Sequence, residues 1–170
     1  MKKILIVAVV IAFGAVANAA SITWSALANG TKLSNGSVGA GVVAYLFEGS
    51  LSEAVLSSIA NGSWNADASG YLATGVTAAN GALMKSGVGS YENTSVNFSM
   101  ILFDADSYGN ATEFKYAEFN NVTFVTANKT ANFTSALSAA SWQSMSVPEP
   151  TSGILMLVGL AGLALRRRRA

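Results

Sequence analysis

The stretch Val96-Asn97-Phe98-Ser99-Met100-Ile101-Leu102-Phe103 decides how this chain is read. Its first half alternates apolar with polar residues, and its second half is continuously apolar, which makes it the strongest strand signal in the sequence. Weaker strand signals lie on either side. Ile22 to Leu27 alternates, Val38 to Phe47 contains the buried-strand composition VVAYLF, and Asn121 to Thr126 is rich in branched and aromatic residues. In Glu113-Phe114-Lys115-Tyr116-Ala117-Glu118-Phe119 the aromatic residues alternate with polar ones, so Phe114, Tyr116 and Phe119 are expected on one face. Asn-Gly pairs at 29–30, 35–36, 61–62 and 80–81 favour the positive backbone angles of tight hairpin turns. One helix is expected. Ser50 and Glu53 fit a capping box, Leu51, Val55, Leu56 and Ile59 share a face, and Asn61-Gly62 stops it. A second helical turn around Thr134 to Ala140 has a weaker pattern. Several short strands with regular turn signals predict a mainly β fold: a small antiparallel β-sandwich with one short helix across an end or edge.

The composition of this body narrows its chemistry. Between Ala20 and Val147 there are four cations (Lys32, Lys85, Lys115, Lys129) and eight acids, a net charge of −4, whereas the whole chain is +1. Phosphate binding needs clustered Lys or Arg, so nucleic acid is not expected as a partner. The chain has no cysteine and no histidine. Ser-His and Cys-His catalytic pairs are therefore excluded, and stability must come from burial without disulfides. A body of 128 residues suffices for one core.

Both ends read differently from the middle. Lys2 and Lys3 precede the apolar run Ile4 to Val16, and Ala17-Asn18-Ala19 places small residues at Ala17 and Ala19, where a signal peptidase inspects them. Residues 1–19 are expected to be a secretory signal peptide cut after Ala19. At the other end, Pro148-Glu149-Pro150 is followed by the uncharged run Ile154 to Leu165 and by Arg166, Arg167, Arg168 and Arg169. The prolines forbid helix and favour extended backbone, the form a protease cleft accepts. Twelve apolar residues make a helix of about 18 Å against a hydrocarbon core of about 30 Å. Counting from Ser152 to Arg169, with arginine stems in hydrocarbon, the reach is about 27 Å. A marginal transmembrane helix is expected, with its arginines on the cytoplasmic side and the body outside. The expected organisation is a signal peptide at 1–19, an exported β-rich domain at 20–146 and a sorting tail at 147–170.

The tail resembles the PEP-CTERM sorting signal of Gram-negative bacteria. The likeness covers Val147 to Ala170 and rests on Pro148-Glu149-Pro150, the apolar run and the arginine cluster, in that order. It implies export, transient anchoring in the inner membrane, and handling by an exosortase, a membrane-embedded cysteine protease and transpeptidase. Cleavage near the PEP motif and release or attachment at the outer envelope follow from the same likeness. The implied sorting residues are Val147, Pro148, Glu149, Pro150 and Arg166 to Arg169. The implied partners are the exosortase, signal peptidase with the secretion machinery, and the inner membrane. Extracellular polysaccharide is a further candidate, because such signals accompany exopolysaccharide systems. The resemblance carries no catalytic residues to this chain.

Three chemistries deserve a place beside that reading. Asp104 and Asp106, two apart at a strand end, form the one close carboxylate pair, the kind that cleaves glycosides. With Gly109 they match positions one, three and six of a calcium loop, but Tyr108 and Lys115 stand where oxygen ligands belong. Trp24, Trp64 and Trp142, with Tyr45, Tyr71, Tyr91, Tyr108 and Tyr116, are the side chains a carbohydrate-binding module would use to stack on sugar rings. Asn-x-Ser/Thr sequons at Asn93, Asn97, Asn121, Asn128 and Asn132 arise readily in such a composition and are assigned no modification. The expectation is a non-enzymatic envelope or matrix protein, with no catalytic residue, cofactor or metal site assigned.

Overall fold

The computed structural model describes residues 20–92, 94–124 and 128–146. In chain order these form β1 (Ala20–Ala26), β2 (Val43–Glu48), α1 (Glu53–Ala60), β3 (Ala73–Val76), β4 (Leu83–Tyr91) and β5 (Thr94–Phe103). A 3₁₀ turn (Tyr108–Asn110), β6 (Glu113–Phe124), β7 (Lys129–Asn132), α2 (Thr134–Ala139) and β8 (Gln143–Ser144) follow. One sheet has the order β4-β1-β7 and the other β3-β2-β5-β6-β8.

The VNFSMILF stretch lies in β5, the central strand of the larger sheet. Its two halves have different surroundings. Phe98, Met100 and Leu102 face the smaller sheet and join Ile22, Trp24, Ala26, Leu46, Phe124 and Phe133 in the core between the sheets. Ile101 and Phe103 face the other way, into a second apolar layer with Val43, Phe47, Ile59, Trp64 and Phe114. A strand covered on both faces favours apolar residues on both, which is why the run from Met100 to Phe103 is unbroken, and the buried Ser99 beside it donates its hydroxyl to the Gly49 carbonyl at 2.7 Å. At its start, where the outer layer gives out, Ser95 and Asn97 are exposed. The fold is a sandwich with a third layer on the outer face of its larger sheet.

That third layer corrects the position expected for the helix. α1 lies over the sheet face, with Val55, Leu56 and Ile59 directed into the apolar layer. Its N-cap is Ser52, whose hydroxyl accepts from the Val55 N–H at 3.4 Å, so the expected capping box from Ser50 is displaced by two residues. Asn61-Gly62 ends the helix as expected, with the Gly62 N–H donating to the Ile59 carbonyl at 3.1 Å. α2 forms where the second helical turn was read.

Other departures have local causes. The segments at 112–119 and 121–126 form one long strand as far as the described residues reach, and a bulge between Val96/Phe98 and their partners absorbs the irregularity. Asn121 takes a positive φ of 61° there, a conformation asparagine tolerates. Phe119 pairs with Phe98 on the inner face, whereas Phe114 and Tyr116 face the outer layer, so the three aromatics do not share a side. β1 runs parallel to β7, in contrast to the antiparallel pairing elsewhere. None of the Asn-Gly pairs closes a two-residue hairpin between ladder partners. Instead, glycine enables the bulges of β4: Gly87 and Gly89 adopt φ of 74° and 69° where the register against β1 shifts.

The two ends of the described body lie at opposite ends of the sandwich. Ala20 pairs with Tyr91, whose hydroxyl donates to Glu48 at the last residue of β2. Ser144 pairs with Glu113 at the first residue of β6, beside the end of β5.

Two-sided burial of β5 makes a direct prediction. Ile101→Ala and Leu102→Ala should each lower the unfolding free energy by about 2–5 kcal/mol in urea titrations. Ser95→Ala should change it by about 0.5 kcal/mol or less. A large cost at Leu102 with none at Ile101 would contradict a structural outer layer.

Candidate functional site

The last described segment of the body is held almost entirely by main-chain groups. α1 ends with carbonyls that have no partner inside the helix. The carbonyl of Ala60 finds one in the Ser146 N–H, at 2.6 Å. One residue earlier, the Met145 N–H donates to the Thr112 carbonyl at 2.8 Å. β8 itself pairs Gln143 with Phe114 and Ser144 with Glu113 on the edge of the larger sheet. Gln143, Ser144 and Ser146 are exposed, and Met145 is half-buried against the outer apolar layer.

Asp104, at the start of the 104–110 loop, supports this segment. Asp104 Oδ1 accepts from the Thr112 N–H at 2.8 Å and the Glu113 N–H at 3.0 Å, while Oδ2 accepts from the Thr112 hydroxyl at 2.5 Å. Asp104 therefore fixes the residue whose carbonyl receives Met145. Asp106 turns to a different set, accepting from Asn110 Nδ2 at 3.1 Å and the Ser107 hydroxyl at 3.3 Å. The two carboxylates thus have separate partners within the loop. Among the described residues no group of three or more His, Cys, Asp or Glu is placed to hold a metal ion. Tyr108, which spoils the calcium-loop pattern, packs edge-on to Trp64 at 5.0 Å and its hydroxyl accepts from the Trp64 backbone N–H at 3.0 Å.

The aromatic residues are engaged in packing. Trp24 is fully buried between the sheets and Trp64 nearly so in the outer layer, where Tyr45 meets it at 5.1 Å and itself meets Tyr71 at 5.1 Å. Tyr91 is buried and stacks on Phe124 at 4.5 Å. Trp142 is half-buried, its indole N–H bonded to the Lys32 carbonyl at 3.0 Å. Its ring faces the Lys115 ammonium at 5.0 Å. Lys115 is the one buried cation of the described residues, and its Nζ donates to the Leu137 carbonyl at 3.3 Å, near the C-terminal end of α2. Burial lowers its pKa. Tyr116 donates to Glu118 at 2.5 Å and accepts from the Leu51 N–H at 3.0 Å, linking β6 to the approach to α1.

The residues expected to carry sorting and processing lie outside the described residues: Ala17 and Ala19 at one end, Val147, Pro148, Glu149, Pro150 and Arg166 to Arg169 at the other. So does the expected transmembrane helix. Among the described residues no helix is long and apolar enough to cross a membrane. Ala60, Thr112 and Ser146 were not legible as site residues, because their contribution is a backbone N–H or carbonyl that every residue type supplies.

Two predictions follow from these contacts. Asp104→Ala leaves the Thr112 and Glu113 N–H groups without their acceptor, which should cost roughly 1–3 kcal/mol in denaturant titrations. It should also speed amide exchange at Met145; unchanged exchange there would separate the loop from the exit. The second concerns alkaline pH. Burial first, and Glu48 second, push the Tyr91 hydroxyl up to about 12, and burial also raises Tyr45 and Tyr116. An unfolded chain releases these protons near pH 10, so stability is full below pH 10 and declines as pH rises toward 12. Lys115 acts in the opposite sense, its penalty easing as pH approaches 10.5. The urea midpoint should therefore fall between pH 10 and 12, less steeply in Tyr91→Phe; equal slopes would show that Tyr91 does not contribute.

Neither a curated protein nor a solved structure matches this chain. Residues 146–169 match the PEP-CTERM protein-sorting motif. The match begins at Ser146, the residue whose N–H makes the last described bond to the body. Such a motif indicates export and exosortase-mediated, membrane-associated sorting toward the cell surface. Directly after β8, then, the chain carries the PEP-CTERM protein-sorting motif of exosortase-sorted extracellular proteins.

Proposed function

We propose that this chain is a non-enzymatic component of the cell envelope or extracellular matrix, cut from its sorting tail at Pro148-Glu149-Pro150 by an exosortase. The observation that carries the reading is adjacency. The matched motif starts at Ser146, two residues after β8, and the Ser146 N–H still donates to the Ala60 carbonyl of the body. A cut near the PEP tripeptide would remove the tail and leave every described strand intact. At the other end, the described part of β1, Ala20–Ala26, lies wholly after the expected signal-peptidase site. Removal of residues 1–19 would likewise leave every described residue of the central strand of the smaller sheet in place.

A structural role for the body draws support from its chemistry. The chain has neither histidine nor cysteine. Asp104 is engaged by the backbone of Thr112 and Glu113, and Asp106 by Asn110. The tryptophans that a carbohydrate-binding module would expose are inside or pinned, which favours the matrix-component reading over that alternative. Export would leave a mature protein with an acidic surface, net −4 from Ala20 to Val147. Like-charged copies resist nonspecific association.

Mass measurement on cell-surface and medium fractions tests the proposal. The mature chain should begin at Ala20 and end near Pro148-Glu149-Pro150, with any added mass at the new C-terminus reporting attachment. A surface protein that retained Arg166 to Arg169 would contradict cleavage. Replacing those four arginines by glutamine should reduce the processed fraction severalfold, because they hold the tail's cytoplasmic end in place.

A further inference from the structure

We infer that residues 143–146 serve twice: as the edge strand and exit of the folded body, and as the upstream part of the peptide that the exosortase binds. The inference rests on the cleavage reading above. Between Ser146 and the apolar run starting at Ile154 lie seven residues, 147–153. Fully extended they reach about 25 Å. The PEP tripeptide occupies the second to fourth of them. A protease takes its substrate as an extended strand, with several residues on each side of the scissile bond. With the cut near Pro148-Glu149-Pro150, the upstream residues include Ser144, Met145 and Ser146. In the folded body the main-chain groups of this segment are already engaged by Phe114, Glu113, Thr112 and Ala60. The enzyme and the body compete for one strand.

The segment is suited to an exchange of partners. β8 has two residues, lies at a sheet edge and exposes both side chains. Only Met145 contributes to a core layer, and it is half-buried. Such an edge opens locally without unfolding the strands behind it. Release of β8 before cleavage gives the enzyme its extended peptide, and rebinding afterwards recloses the outer layer around Ala60. The partner that captures the released strand is the substrate cleft of a membrane-embedded protease, approached from the end of the sandwich that carries Asp104 and Thr112.

The test uses the full chain co-expressed with its exosortase, with the processed fraction read by mass spectrometry. Glu113 and Ser144 are register partners, and such pairs lie within the span of a disulfide. In a chain without cysteine, Glu113→Cys with Ser144→Cys makes a single possible crosslink. Oxidised, this double variant should be processed at least tenfold more slowly than wild type, and reduction should restore the rate. A ten-residue Gly-Ser spacer inserted after Ser146 supplies slack and should make processing insensitive to the lock. The same spacer in an otherwise wild-type chain should speed cleavage, a result that does not depend on the cysteine variant folding. Processing of the locked, spacer-free chain at the wild-type rate would overturn the inference. A wild-type chain that is never cleaved would instead overturn the cleavage reading.

Discussion

The structure depends on one constraint: the central strand β5 must be dry on both sides. Met100 and Leu102 need the smaller sheet, and Ile101 and Phe103 need the outer layer. Neither layer alone satisfies the strand. This explains why a body without disulfides carries a helix and a long aromatic loop across a sheet face that an ordinary two-layer sandwich leaves to solvent. The outer layer in turn holds the last described residues. α1 covers Ile101 and brings the Ala60 carbonyl to the Ser146 N–H, and the loop that follows β5 places Asp104 under Thr112.

From that arrangement the two termini acquire different characters. β1 is a central strand, held by β4 on one side and β7 on the other, and its inward residues Ile22 and Trp24 are fully buried. Its pairing with β7 joins residues more than a hundred positions apart. The smaller sheet is therefore complete only when residues 129–132 join it. β8, by contrast, is a short edge strand with exposed side chains. The body holds its beginning firmly and its end lightly, at opposite ends of the sandwich. The residues that match the sorting motif begin two positions after this short edge strand.

What could be read in advance follows from where each signal originates. β5 and α1 were legible because burial on two faces and helix periodicity write themselves into consecutive residues. The sorting tail was legible for a similar reason: prolines, an oily run and arginines act through their own chemistry. β4 was not, because Gly87 and Gly89 interrupt the alternation of LMKSGVGSY at the bulges that curve it around β1. β7 and β8 are too short to show a period, and their partners are set by the rest of the fold. Lys115 reads as a polar position on an alternating strand; its burial depends on the Leu137 carbonyl and the Trp142 ring, both more than twenty residues away. The aspartates at 104 and 106 show the converse. Their spacing suggests ligands, but what they do is set by which N–H groups the hairpin brings to them.

Native-state hydrogen exchange on the folded protein tests the central claim most directly, that a rigid two-faced strand carries a lightly held exit. The amides of Met100 to Phe103 should exchange only through global unfolding, while those of Met145 and Ser146 exchange through a local opening at least a hundredfold more often. Protection at Met145 and Ser146 equal to that of β5 would contradict it.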